Sequence, residues 1–270
     1  MPLRPLTASD ILDGAFRVIK RRPAAVLGAA AVVVVPVQVV LALAQHALLP
    51  NPFAGWLVWN SVSWMSTSSP SVWALLLYGL GLLLQSLSLF FLGGIVTAFV
   101  ASWCVGREIS VRDALAASFR RTGPFIGAWA ILLAAKVVAG MCNVALPFVV
   151  PLFVATAPAI TAEQLGPWSG VRRSVSLMGR RYWQAVLVVV LGYLVEAAMR
   201  TGSLLAGLSA LLPEPASWIT SAVVNSAFGV VVQTVVVSTS VLLYLDARIR
   251  TEGLDLELRA ADVLPAGAWT

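Results

Sequence analysis

Three charged residues lie within stretches that otherwise read as membrane-buried: Lys136, Glu196 and Arg200. A charge at the bilayer centre costs roughly 3 kcal/mol on insertion scales, so such a group faces protein or water and pairs with another. Glu196 and Arg200 are four apart and share a helix face. At 1.5 Å per residue, Glu196 lies about 20 Å and Arg200 about 26 Å along the helix from Trp183, and Lys136 about 18 Å from Pro124. Their similar depth predicts a Lys136–Glu196–Arg200 cluster inside a helix bundle. Such a cluster fixes the register of two helices, with Arg200 reaching outward. Alternatively it lines an outward-open cavity that binds an anionic headgroup or passes protons.

A second set is polar and uncharged. Asn225, Gln233 and Ser240 recur at eight and seven positions, and Gln38 and Gln45 at seven, so each set shares a helix face. In lipid such stripes join helices; a lined pathway is the alternative. Glu163 precedes a segment with Arg172 and Arg173, and a helix dipole or that pair neutralises it in a structural role. The single histidine, His46, has no ligand partner nearby in sequence, and Cys104 and Cys142 lack metal or disulfide-framework spacing. They read as a helix-end imidazole and buried thiols, with no metal and no cofactor implied. Hydrolysis needs acid/base pairs or metal carboxylates that these residues do not supply, and no phosphate-binding glycine loop is present.

The elements that must position these groups follow from composition. Of 270 residues, 59% are hydrophobic and 11% charged, with mean hydropathy +0.90. Soluble domains carry roughly 25% charged residues, so lipid must solvate much of this chain. The expected fold is an all-α integral membrane protein, one domain over 1–270. It is a six-transmembrane-helix bundle with three cytoplasmic interfacial amphipathic helices, the first at 8–22. The spans fall at about 24–48, 72–105, 124–145, 147–162, 183–211 and 217–245, with a cytoplasmic tail at 246–270. Asp10 and Asp13 precede the first apolar run, which is also too long for a secretory signal core. Gly93-Gly94 bends the long second span, or its end projects into the cytoplasm. Pro147, Pro151 and Pro158 break the fourth, which must then be covered by protein or tilt against the fifth. The loop 53–71 carries Trp56, Trp59 and Trp64, with Trp73 just beyond, suited to the outer interface or to a short buried helix.

The net charge of +6 reads as membrane orientation rather than nucleic-acid binding. The Lys and Arg residues of segments 4–22, 107–121, 172–181 and 248–259 all fall on one side of the six-span arrangement. Both termini are therefore expected in the cytoplasm. Each odd-numbered span is preceded by a similar stretch: SDILDGAFRVIKRRP (9–23), RDALAASFRRTGP (112–124) and GVRRSVSLMGRRYW (170–183). Asp10, Leu12 and Phe16 align with Asp113, Leu115 and Phe119, and Ser9 can cap the first helix. These stretches imply three repeats of interfacial helix plus hairpin, or only the common composition of inner amphipathic helices.

RPLTASDILDGAFRVIKRRPAAVLG, EQLGPWSGVRRSVSLMGRRYWQAV and VLLYLDARIRTEGLDLEL resemble an actinobacterial integral membrane family, itself described by similarity to the membrane domain of glycerophosphoryl diester phosphodiesterase. The resemblance implies a polytopic protein of the bacterial plasma membrane. It brings no catalytic residues, so no phosphodiester hydrolysis is expected. The function expected is non-enzymatic: an envelope scaffold, or a subunit organising lipid or a partner. The alternative is a transporter or channel-like subunit using Lys136, Glu196 and Arg200. Expected partners are the bilayer, anionic lipids at its inner face, and another membrane protein or a second copy, with no nucleic acid.

Overall fold

The computed structural model describes residues 7–48, 71–140, 146–201, 213 and 216–253. These form ten helices: α1 (Ala8–Arg21), α2 (Pro23–Leu48), α3 (Val72–Cys104), α4 (Val111–Phe119), α5 (Thr122–Gly140), α6 (Leu146–Phe153), α7 (Thr156–Ala162), α8 (Pro167–Gly179), α9 (Tyr182–Thr201) and α10 (Ala216–Glu252). Three helices, within α2, α3 and α10, are long and apolar enough to cross a membrane. The apolar helices in α5, in α6–α7 and in α9 are shorter. At 1.5 Å per residue the 33 residues of α3 and the 37 of α10 run about 50 and 55 Å, well beyond a 30 Å hydrocarbon core. The loop expected at 53–71 lies outside the described residues except at Ser71, which caps α3 by accepting from the Ala74 amide.

The helices fall into three units, each a short amphipathic helix, a first long helix and a returning one: α1–α2–α3, α4–α5–α6/α7 and α8–α9–α10. The returning element of each unit packs on the short helix and first long helix of the next. α3 packs on α4 and α5, α6 and α7 on α8 with α6 also on α9, and α10 on α1 and α2, which closes the ring. α3, α7 and α10 also touch one another at the centre. The first helices α2, α5 and α9 turn Val32, Val39, Ile126, Val137, Leu187 and Leu194 outward, as a lipid-facing layer does.

Local chemistry repeats with the units. Thr7 caps α1 in a capping box with Asp10, Ser110 caps α4 with Asp113, and Gly166 stands at the same place before Pro167 of α8. Ser9, the expected cap, instead lies in the first turn and shares a hydroxyl contact with Thr7. Counted from these caps, Ile11, Ala114 and Gly170 are buried, as are Ala15, Ser118 and Ser174. The Ser118 hydroxyl donates to the Phe91 carbonyl and that of Ser174 to Leu152, each on the preceding unit's returning element. Ala15 has no hydroxyl and makes its contact by packing alone. The apolar faces of the short helices are thus covered by protein; Phe16 and Phe119 remain exposed beside them.

Each short helix meets its long helix at a two-residue basic joint: Arg21-Arg22, Arg120-Arg121 and Arg180-Arg181. The carbonyls of Arg22, Arg121 and Arg181 accept the amides of Val26, Phe125 and Ala185, and those three residues are buried. Three positions on, Ala29, Ala128 and Val188 are buried too. The first and third short helices have equal cap-to-joint spacing, 14 positions, while α4 has 10 and is about one turn shorter. That deleted turn hides the repeat from a simple identity comparison.

Each returning element also ends alike, on a left-handed residue that stops the helix: Gly106 (φ 70°), Gln164 (φ 56°) and Gly253 (φ 67°). A side chain there costs about 1 kcal/mol relative to glycine. Gln164→Gly should therefore stabilise the protein by somewhat under about 1 kcal/mol, because it also loses the Nε2 bond to the Thr161 carbonyl. Thermal unfolding in detergent reads this, and a fall in melting temperature would contradict it.

Several expected boundaries shift. α10 runs on through Glu252, so the first residues of the expected tail are helical and the remainder lies outside the described residues. The expected ends of the third and fifth spans, 141–145 and 202–211, also lie outside them. α3 is one continuous helix through Gly93-Gly94. These glycines serve close approach: a Cβ at Gly93 would lie 2.7 Å from Ala157 of α7. The proline-rich fourth segment is two helices broken at Val154-Ala155, and α7 is largely buried, packed on α3 and α8. Carbonyls freed at the break find donors, Leu152 from Ser174 and Phe153 from Thr156.

Candidate functional site: a basic face built three times

The three joints gather at one end of the bundle, where α3, α7 and α10 also finish. Contacts tie these parts together. In each basic pair the second arginine is half-buried and bound to the end of its own unit's returning element. Arg22 Nη1 lies 3.2 Å from Glu108, Arg121 Nη1 donates to the Gln164 carbonyl at 3.3 Å, and Arg181 Nη1 lies 3.9 Å from Asp246. The first arginine of each pair is exposed. The Arg21 guanidinium lies 4.9 Å over the Trp103 ring, while Arg120 and Arg180 have no ion pair among the described residues. Arg17, Lys20, Arg107, Arg112 and Arg172 are exposed as well.

Behind this surface lie two ionic groups. Glu163 accepts Arg173 Nε on both carboxylate oxygens, at 2.9 and 2.8 Å, and the Tyr244 hydroxyl at 2.7 Å. Arg173 reaches on to Glu252 at 2.6 Å, and Arg248 contacts Glu252 at 3.0 Å and Glu163 at 3.7 Å. Two guanidinium and two carboxylate charges balance. Bonds to Glu252, then to Glu163, raise the Arg173 pKa above its ordinary value, so this residue stays charged. Of the two arginines expected to neutralise Glu163, it is Arg173 that binds it. In the second group Asp246, 1% exposed, accepts from Arg250 Nε at 2.9 Å and Gln184 Nε2 at 3.0 Å, with Arg181 nearby. Both groups lock the end of α10 to α7, α8 and α9. Their carboxylates are engaged by donors, an arrangement suited to holding helices rather than moving protons.

Tyr244, Asp246, Gln184 and Glu252 were not singled out in the sequence. The i, i+4 spacing of Asp246 with Arg250 and of Arg248 with Glu252 was the available signal.

The expected mid-helix residues are placed as follows. Lys136 is exposed on α5. Glu196 and Arg200 belong to α9, and their side chains lie outside the described residues. α5 and α9 each pack on α6. Counted from the joints, Lys136 and Glu196 occupy the same place in the second and third units. Gln38 donates to Gln85 at 3.3 Å, above Gly229, where a Cβ would lie 2.8 Å from the Gln38 amide nitrogen. Buried Gln233 accepts from Ser88 at 3.5 Å. These two residues do join helices. Asn225 bonds Ser221 of its own helix, Ser240 bonds the Val237 carbonyl, and Gln45 is exposed. His46 stacks on Trp218, with centroids 4.8 Å apart. Cys104 is a half-buried free thiol, and Cys142 lies outside the described residues. Among the described residues no three His, Cys, Asp or Glu side chains gather as metal ligands do.

No family model, curated protein or solved structure matches the chain.

Proposed function

We propose that this is a non-enzymatic, multi-pass protein of a bacterial plasma membrane that organises anionic lipid around a rigid scaffold. In this reading the helices make six spans and both termini are cytoplasmic. The family resemblance of its inner segments agrees with it. The observation that carries the reading is the division of labour at the joints: one arginine of each pair faces protein and the other is exposed beside the start of an apolar helix. Exposed aromatic residues at the same level, Trp183 at 73% and Phe119, suit a headgroup boundary. Anionic lipid attracts a basic segment by about 1 kcal/mol per arginine near the surface.

The test is thermal unfolding in nanodiscs of phosphatidylcholine with and without phosphatidylglycerol. Phosphatidylglycerol should raise the melting temperature by several degrees, and the gain should shrink as salt screens it. Equal stability in both lipids would remove the basis for the reading. Saturable solute flux through the purified protein would replace it with transport.

A further inference from the structure

Building on the reading above, we infer that each joint is a seat for one phosphodiester headgroup, so that the protein holds three anionic phospholipids in quasi-equivalent places. A diffuse positive surface would attract the same lipids without fixed number or position. Three observations favour discrete seats.

The first is repetition. Caps, joints and terminating residues recur three times, so Arg21, Arg120 and Arg180 hold equivalent places on the backbone, with an aromatic ring, Trp103, beneath the first. The second is the state of the guanidinium groups. The second arginine of each joint faces its own unit's returning element, by an ion pair at the first joint, a hydrogen bond at the second and a looser 3.9 Å ion contact at the third, and the exposed first arginine is the more available charge. The third is unsatisfied donors beside the seats. The Trp103 indole Nε1–H, under Arg21 at the first joint, is buried without a hydrogen-bond partner. Arg181 Nη1 at the third joint is buried and makes an ion contact at 3.9 Å with no hydrogen bond. A buried donor left unpaired costs about 1–3 kcal/mol. A phosphate oxygen brought in by Arg21 or Arg180 is an acceptor of the kind both donors lack. At Gly123, next to the second joint, a Cβ would meet nothing within 4 Å, so the backbone there is open to a headgroup.

The source of the phosphate is taken to be lipid because each joint begins an apolar helix, which places the guanidinium at headgroup depth. The test uses the full chain in phosphatidylcholine nanodiscs doped with phosphatidylglycerol, followed by native mass spectrometry of the released protein. The wild type should retain three phosphatidylglycerol molecules. Arg21→Gln, Arg120→Gln and Arg180→Gln should each lose one, with that site weakened about fivefold, as about 1 kcal/mol per arginine implies. The triple variant should retain none. Arg112→Gln and Arg172→Gln, on exposed short-helix faces away from the joints, should retain all three. Melting temperatures in pure phosphatidylcholine should match the wild type and so report intact folding. Retention that falls equally in the controls, or persists in the triple variant, overturns the three seats. Phosphatidylglycerol stabilisation surviving in the triple variant would overturn the seats alone, whereas no phosphatidylglycerol preference in the wild type would overturn the proposed function too. Displacement of the lipid by low millimolar inorganic phosphate would overturn the lipid source.

Discussion

Asp246→Ala should destabilise the protein by about 3–5 kcal/mol, the usual consequence of removing one side of a buried ion pair. Asp246 is the buried acceptor between α10 and α9: Arg250 and Gln184 donate to it and Arg181 stands close by. Without the carboxylate, Arg181 and Arg250 face each other's charge with one acceptor fewer, and the Gln184 amide loses its partner. Asp246→Asn keeps the shape and one acceptor oxygen but not the charge, so its cost should be smaller. Arg250→Ala in the Asp246→Ala background should recover part of the loss, because the two belong to one network. Thermal unfolding in detergent of the four proteins of this cycle reads the coupling. Additive losses would show that Asp246 and Arg250 do not act together.

Gly94→Leu should cost about 3 kcal/mol or more, the upper range for overpacking a core. A Cβ at Gly94 would lie 2.6 Å from the Ser118 hydroxyl and 2.9 Å from the Phe125 ring. Phe125 is fully buried and sits just past the second joint, and Ser118 is held by the Phe91 carbonyl, so neither gives way easily. The substitution thus forces α3 away from α4 and α5 and breaks one third of the ring. Gly28→Leu is the control: a Cβ at Gly28 of α2 meets nothing within 4 Å. It should be neutral or gain up to about 1 kcal/mol in helix propensity. Comparable losses at both sites would mean that the close approach at Gly94 is not a constraint.

What was legible in the sequence is what depends on composition over many residues. The long apolar helices, the amphipathic stretches and the one-sided basic residues follow from hydropathy and charge, and α2, α3 and α10 begin within a residue or two of the expected places. Asp10 and Asp113 match because each stands three residues past its cap and bonds back to it, Asp10 to the Thr7 amide and Asp113 to the Ser110 hydroxyl. The repeat was harder to see because α4 lacks a turn, so caps and joints cannot be aligned together without a gap. Long-range polar partners were not legible at all. Glu163 and Tyr244 are 81 positions apart and nothing local marks the tyrosine. Nor can spacing separate Gln38, which bonds a neighbouring helix, from Ser240, which bonds its own. The Lys136, Glu196 and Arg200 pattern rests on matching depth and on the four-residue spacing of Glu196 and Arg200. Depth does not say around which side of a bundle each residue points.

In the proposed membrane arrangement three helix hairpins return the chain three times to one basic face. Single cysteines test this arrangement most directly. With Cys104 and Cys142 changed to serine, Lys20→Cys, Thr122→Cys and Tyr182→Cys report the three joints one at a time. Each would be treated with a membrane-impermeant maleimide in right-side-out and in inverted vesicles. All three should label only in inverted vesicles if, as proposed, each joint is separated from the next by an out-and-back pair of crossings. Labelling of any one from the outside would break the equivalence of the joints and contradict the threefold arrangement in the membrane.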